Sequence, residues 1–229
     1  MGEFVGFPKR CMPFLSELKA NNTREWFNQH KAEYETSVRE PALAFIADAA
    51  PQLVKISPHF RAIPKKSGGS LMRVYRDTRF SSEKSPYKTN IGIQFRHALG
   101  KDVHAPGFYL HIEPGACFIG VGIWRPESAV LTKIRDFLID NPAAWKKAKA
   151  YRPFKSNFVL EGDSLQRPPR GYPKEHELME DLKRKDFIAC RPFGDAEIGR
   201  KGFLQMAIGG FQQSNPFMRY LCAALEVPY

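Results

Sequence analysis

Along the first 55 residues the apolar positions recur at helical spacing. Met12, Phe14, Leu15 and Leu18 make one stripe, stopped by Asn21-Asn22. Thr23-Arg24-Glu25-Trp26-Phe27 opens a second helix that Asn22 or Thr23 caps. Tyr34 and Val38 extend it, Pro41 marks a break, and Leu43, Phe45, Ile46, Leu53 and Val54 predict a further helix. From about residue 60 to 124 the period changes to two, the signature of strands with one buried face. Ile91, Ile93 and Phe95 share a face, as do Phe108, Leu110 and Ile112, and Cys117, Ile119, Val121 and Ile123. Pro114-Gly115 turns the last two runs into a hairpin. Pairing Glu113 with Ala116 sets His111 opposite Phe118 and Tyr109 opposite Gly120, the register that keeps every aliphatic side chain on one side.

Helix is predicted again over Glu127 to Ile139, after Asn141-Pro142, and from about residue 174. Short strands are predicted at Phe158 to Leu160, Ser164 to Gln166 and Phe187 to Arg191, and a C-terminal helical run is closed by Asn215-Pro216. Helices flank a meander instead of alternating with strands. The pattern predicts an α+β fold, with a mostly antiparallel sheet near 70–124 and helices packed on its aliphatic face. No repeat or linker divides the chain. One domain over residues 1–229 is expected, with an N-terminal helical part at about 8–55, a sheet at about 60–124 and a mixed part at about 127–229.

Composition adds one thing. With 35 Lys and Arg against 24 Asp and Glu, the net charge is +11, which favours anionic partners. The excess concentrates between residues 65 and 88, where Lys65, Lys66, Arg73, Arg76, Arg79, Lys84 and Lys88 face only Asp77 and Glu83. Arginine offers a planar fork of donors for phosphate or carboxylate, and Gly68-Gly69 lets backbone come close to a ligand. The order of residues is not that of a Walker loop. If Leu71 to Phe80 is a strand, Arg73, Tyr75, Asp77 and Arg79 share its side, either facing a ligand or pairing Arg73 with Asp77 on a solvated surface.

The polar side of the sheet carries Gln94 and Arg96, then Tyr109, His111 and Glu113, then Phe118, Gly120, Gly122 and Trp124. The two glycines leave a floor walled by tyrosine, tryptophan and arginine, where a ligand or another backbone can approach. His111 and Glu113 share that face, as an acid/base pair or as a structural hydrogen bond. Their spacing matches no metal-ligand pattern, and no nucleophile motif occurs. The four scattered cysteines form no CxxC pair and read as buried reduced thiols. With no secretory leader and no bilayer-spanning run, a cytoplasmic protein is expected.

Several longer stretches carry a family resemblance: Asn21-Asn22-Thr23-Arg24-Glu25-Trp26-Phe27, Pro64-Lys65-Lys66-Ser67-Gly68-Gly69-Ser70, Tyr75-Arg76-Asp77-Thr78-Arg79-Phe80, Lys84-Ser85-Pro86-Tyr87-Lys88-Thr89, Ala105-Pro106-Gly107-Phe108-Tyr109-Leu110-His111-Ile112-Glu113-Pro114-Gly115 and Gly171-Tyr172-Pro173-Lys174. With these the chain resembles a bacterial and fungal family catalogued as domain-of-unknown-function family 2461. The resemblance implies one family unit from about residue 4 to the C-terminal region. It implies no reaction and no cofactor.

The expected function is therefore the residues' own. A small ligand carrying phosphate or carboxylate is bound by Lys65, Lys66, Arg73, Arg76, Arg79, Lys84 and Lys88, with Tyr109 and Trp124 in apolar or stacking contact. His111 and Glu113 are the candidates for any acid/base step. Nucleic acid on the same basic face, or an acidic protein partner, are the alternatives. No membrane partner is expected.

Overall fold

Thr23 does cap a helix. Its Oγ1 accepts the backbone N–H of Trp26 at 3.2 Å in the computed structural model, which describes residues 3–77, 79, 84–100 and 106–229. It opens α2 (Arg24–Gln29), and Asn21 closes α1 (Cys11–Ala20), whose Phe14, Leu15 and Leu18 are buried as the periodicity requires. Pro41 does not break the chain as expected. A short α3 (Lys31–Tyr34) runs through a widened turn at Glu35–Arg39 into α4 (Glu40–Ile56), so that Pro41 falls in the first turn of α4. The widened turn directly before it gives room for the proline ring, which lacks the N–H that would bond back to that turn.

The sheet is antiparallel and six-stranded, in the order β1-β2-β3-β4-β6-β5. Its strands are β1 (Phe60–Arg61), β2 (Ile91–His97), β3 (Gly107–Ile112), β4 (Phe118–Ile123), β5 (Val159–Glu161) and β6 (Phe187–Pro192). The hairpin register is the one read from the pattern: Tyr109 lies opposite Gly120 and His111 opposite Phe118. The fold is thus α+β, with a β2-β3-β4 meander extended by strands from the C-terminal half.

Ile91, Ile93, Phe95, Phe108, Leu110, Ile112, Ile119, Val121 and Ile123 are all buried on the inner face. Phe211 of α9 (Phe203–Gln213) meets this face, with its ring 5.8 Å from Phe95 and 4.9 Å from Phe108. Between β4 and β6 come α5 (Ser128–Asp140), α6 (Pro142–Ala150), α7 (Arg152–Lys155) and α8 (Met179–Leu182). The four cysteines are buried free thiols, and burial pushes Cys117 up to about 11.

Four local expectations are corrected. Residues 71–77 form no strand; Leu71 bridges Ile93 and Tyr75 bridges Tyr87, each in isolation. The packing of Tyr75 on Tyr87 and Phe27, with centroids 5.4 and 6.5 Å apart, draws the chain off the β2 edge after Met72. Phe80, the expected strand end, lies outside the described residues. The helix expected from about 174 starts at Met179, because the His176 ring captures the Leu178 N–H and tight turns occupy 173–179. Ser164 makes only an isolated bridge to Arg184. Asn215-Pro216 does not close the C-terminal run but opens α10 (Asn215–Ala224), with proline again in a first turn.

Candidate functional site

The segment from Ile63 to Ser70 folds back on itself. The Ile63 carbonyl accepts N–H groups from both Lys65 (2.9 Å) and Ser70 (2.8 Å), and Ser70 Oγ accepts from Ile63 N–H while donating to the Arg61 carbonyl. Gly68, at φ +67°, takes the left-handed step at the tip of this loop. Met72 and Ser70 then pair with Gly92 and Gln94 on β2. Between loop and sheet lies a cleft of about 280 Å³, lined by residues 66–73 together with Lys88, Gln94 and Arg96.

No aspartate or glutamate among the described residues lines this cleft, whereas Lys66, Arg73, Lys88 and Arg96 do. Among the described residues no carboxylate forms an ion pair with Lys66, Arg73 or Lys88. Lys88 is half-buried, and its amine titrates below the usual lysine value. Burial is the largest cause, followed by the Arg73 and Arg76 guanidiniums. Cations held this close repel one another, which adds to the effect of burial on the Lys88 amine.

The expected site residues divide by place. Lys66, Arg73 and Lys88 come together at the cleft, and Arg76 acts on Lys88 through its charge. Lys65 and Lys84 are exposed outside the lining. Arg79 pairs with Asp77, at 3.0 and 2.7 Å, so the ion pair anticipated for Arg73 goes to Arg79 instead. The Arg79 hydrogen bond holds the Asp77 carboxyl well below the usual carboxylate range. Trp124 lies just past β4, half exposed under the Arg125 guanidinium, which is 4.7 Å from the ring centre.

The expected floor at Gly120 and Gly122 is filled. A Cβ on Gly120 would touch the Tyr109 and Phe118 side chains at 3.5 Å, and Gly122 admits the β6 backbone, not a ligand. Gln94, Arg96 and Met72 were missing from the expected set. The signal for the first two was present, since the period-two pattern puts both on the polar face.

Beside the cleft runs a second polar cluster. His111 Nε2 lies 3.1 Å from Glu113 Oε2, and its Nδ1 lies 2.9 Å from the Tyr109 hydroxyl. With Glu113 accepting at Nε2, the neutral ring offers its Nδ1 lone pair to Tyr109 O–H. Burial pushes the Tyr109 phenol up to about 12, which keeps its proton in place. Phe118 stacks on the imidazole at 4.8 Å, and Thr89 Oγ1 donates to Glu113 Oε1 at 3.1 Å. A Cβ on Gly92 would lie 2.9 Å from both Met72 Sδ and Tyr109 Oη, so these two side chains meet over Gly92, between cleft and cluster.

The sequence profile of the family described as "Conserved hypothetical protein (DUF2461)" matches residues 10–220. The chain belongs to this family. No curated protein matches it, and no solved structure does. The matched stretch contains the whole cleft and the Tyr109–His111–Glu113 cluster, so both lie within the DUF2461 unit. Among the described residues no helix is long and apolar enough to cross a membrane, and no group of three or more His, Cys, Asp or Glu is placed to hold a metal ion.

Proposed function

We propose that this DUF2461 protein binds a small anionic ligand, carrying phosphate or carboxylate, in the cleft between the Lys66–Ser70 loop and β2. The observation that supports this reading is the convergence of Lys66, Arg73 and Lys88, which pair with no carboxylate among the described residues, on one cleft of about 280 Å³. That size suits a phosphate group or small acid. Leu71 and Met72 add apolar wall for the rest of the ligand.

Binding to the native state alone raises the melting temperature. At a hundredfold excess over Kd the gain is about 2.7 kcal/mol, or roughly 5–10 °C for a chain of this size. Phosphate, pyrophosphate and citrate are the probes. Labelled DNA and RNA, titrated from low to physiological salt, test the alternative, since strand binding falls steeply with salt. No shift with any of the three anions removes the reading. Tight oligonucleotide binding that phosphate does not displace replaces it with the nucleic-acid one.

Proton linkage gives a second check. The native amine of Lys88 titrates below its unfolded value of about 10.4. Between the lowered and the ordinary value the unfolded chain holds the extra proton, so stability of the free protein rises with pH across that window. A bound anion favours the charged amine. Phosphate binding is therefore expected to take up protons, and its stabilisation to shrink as pH climbs through the lowered value toward the ordinary lysine one. Calorimetry in buffers of different ionisation enthalpy measures the uptake; zero uptake throughout contradicts a role for Lys88.

In this reading His111 and Glu113 support the polar face and do not touch the anion. His111→Asn is expected to cost about 1–3 kcal/mol, by leaving the Glu113 carboxylate without its ring donor and Phe118 without its stack. Phosphate affinity per folded molecule stays the same. Unchanged stability with lost phosphate binding would instead make His111 a ligand contact.

A further inference from the structure

Tyr87 has both backbone polar groups turned away from its strand-like partner. In the Tyr75–Tyr87 bridge the hydrogen bonds are made by the neighbours, Arg76 N–H to the Pro86 carbonyl at 2.9 Å and Lys88 N–H to the Val74 carbonyl at 2.7 Å. The Tyr87 N–H and C=O face the other way, where buried groups need partners. Both are taken by one side chain 65 residues earlier. Asn22 Oδ1 accepts the Tyr87 N–H at 3.0 Å, and Asn22 Nδ2 donates to the Tyr87 carbonyl at 3.0 Å. The amide acts as a one-residue strand. The Tyr87 ring, buried and stacked on Phe27 of α2 at 4.1 Å, fixes the same residue from its side chain. Side chains alternate along extended backbone, so anchoring Tyr87 inward turns Lys88 to the opposite side, toward the cleft it lines.

We infer that Asn22 is a positioning residue of the anion cleft: its amide clamps the Tyr87 backbone and thereby holds Lys88 against Arg73. The inference rests on the anion reading above and adds a contribution from the corner between α1 and α2, which touches no ligand. Capping does not account for Asn22, because Thr23 caps α2. Lys88 sits among like charges, so a loosened backbone lets its amine swing away from Arg73 and Arg76 toward water.

The test compares neighbours. Calorimetric titration with inorganic phosphate, well below the melting temperature, reads affinity per folded molecule. Asn22→Ala is expected to weaken phosphate about tenfold and to return the Lys88 amine toward its ordinary titration, read by NMR. Thr23→Ala removes the adjacent cap and destabilises α2, yet should leave phosphate affinity within about twofold. Asn22→Gln, which keeps the amide on a longer stem, should weaken it about threefold and serves if the alanine variant does not fold. Asn22 variants that bind phosphate as tightly as the unaltered protein overturn this inference alone, as does an equal loss in Thr23→Ala. Absence of phosphate binding in the unaltered protein overturns the anion reading and this inference with it.

Discussion

Replacing Arg73 by Ala together with Lys88 by Met is expected to abolish the stabilisation by phosphate while leaving the anion-free protein as stable as before, or more so. The two effects have one cause. Lys88 is half-buried beside Arg73 and Arg76, and burial and these two like charges both disfavour its charged form, so its charge is held at a cost in the anion-free protein. Methionine keeps the apolar stem and drops the charge, which removes that cost without opening a void. Arg73 is exposed, and its loss to alanine leaves little unfilled. Each charged hydrogen bond to a bound anion contributes about 1.5–3 kcal/mol, so losing two lowers affinity by a hundredfold or more. Melting curves with and without phosphate, on both proteins, give the result directly. A double variant that still responds like the parent removes the cleft from consideration. One that loses both response and stability marks Lys88 as structural.

The second large effect concerns Gly122. Its φ is +113°, where side-chain-bearing residues are strained, and a Cβ there would fall 2.0 Å from the Phe187 carbonyl oxygen of β6. Gly122→Ala must push β6 off β4 or twist the strand. A loss of about 3–5 kcal/mol is expected, a large share of the stability of an ordinary domain. The melting temperature should fall by roughly 10–15 °C. Gly120→Ala is the control. Its Cβ would make ordinary contacts at 3.5 Å, so a change within about 1 kcal/mol is expected. Equal behaviour of the two variants, in heat or urea, would mean that the backbone at Gly122 does not require glycine.

Local chemistry decided much of this protein from the sequence alone. The change from helical to twofold spacing near residue 60, the Pro114-Gly115 turn and the aliphatic alternation determined the α+β class, the β3–β4 register and which side chains of the meander are buried. Thr23 and Asn141-Pro142 marked helix starts because capping and first-turn proline act within one turn of chain. The same locality misjudged Pro41, since whether a proline interrupts or begins a helix depends on the turn before it.

Only the tertiary structure decided what converges. Seven clustered cations were legible, yet their roles depend on partners distant in sequence or on which way the backbone turns. Arg79 goes to Asp77, Lys65 and Lys84 remain exposed, and Lys66, Arg73 and Lys88 share a cleft with Gln94 and Arg96. The glycines that read as ligand room became room for the Tyr109 and Phe118 rings and for the β6 backbone, because strand order is a long-range choice that alternation does not encode. Asn22 looked like a helix cap, a place that Thr23 takes, and its hold on the Tyr87 backbone appeared only when packing brought the two together. Periodicity assigns a side chain to a face; the charges and amides that face finally meets come from segments that only the packed chain brings within hydrogen-bonding distance.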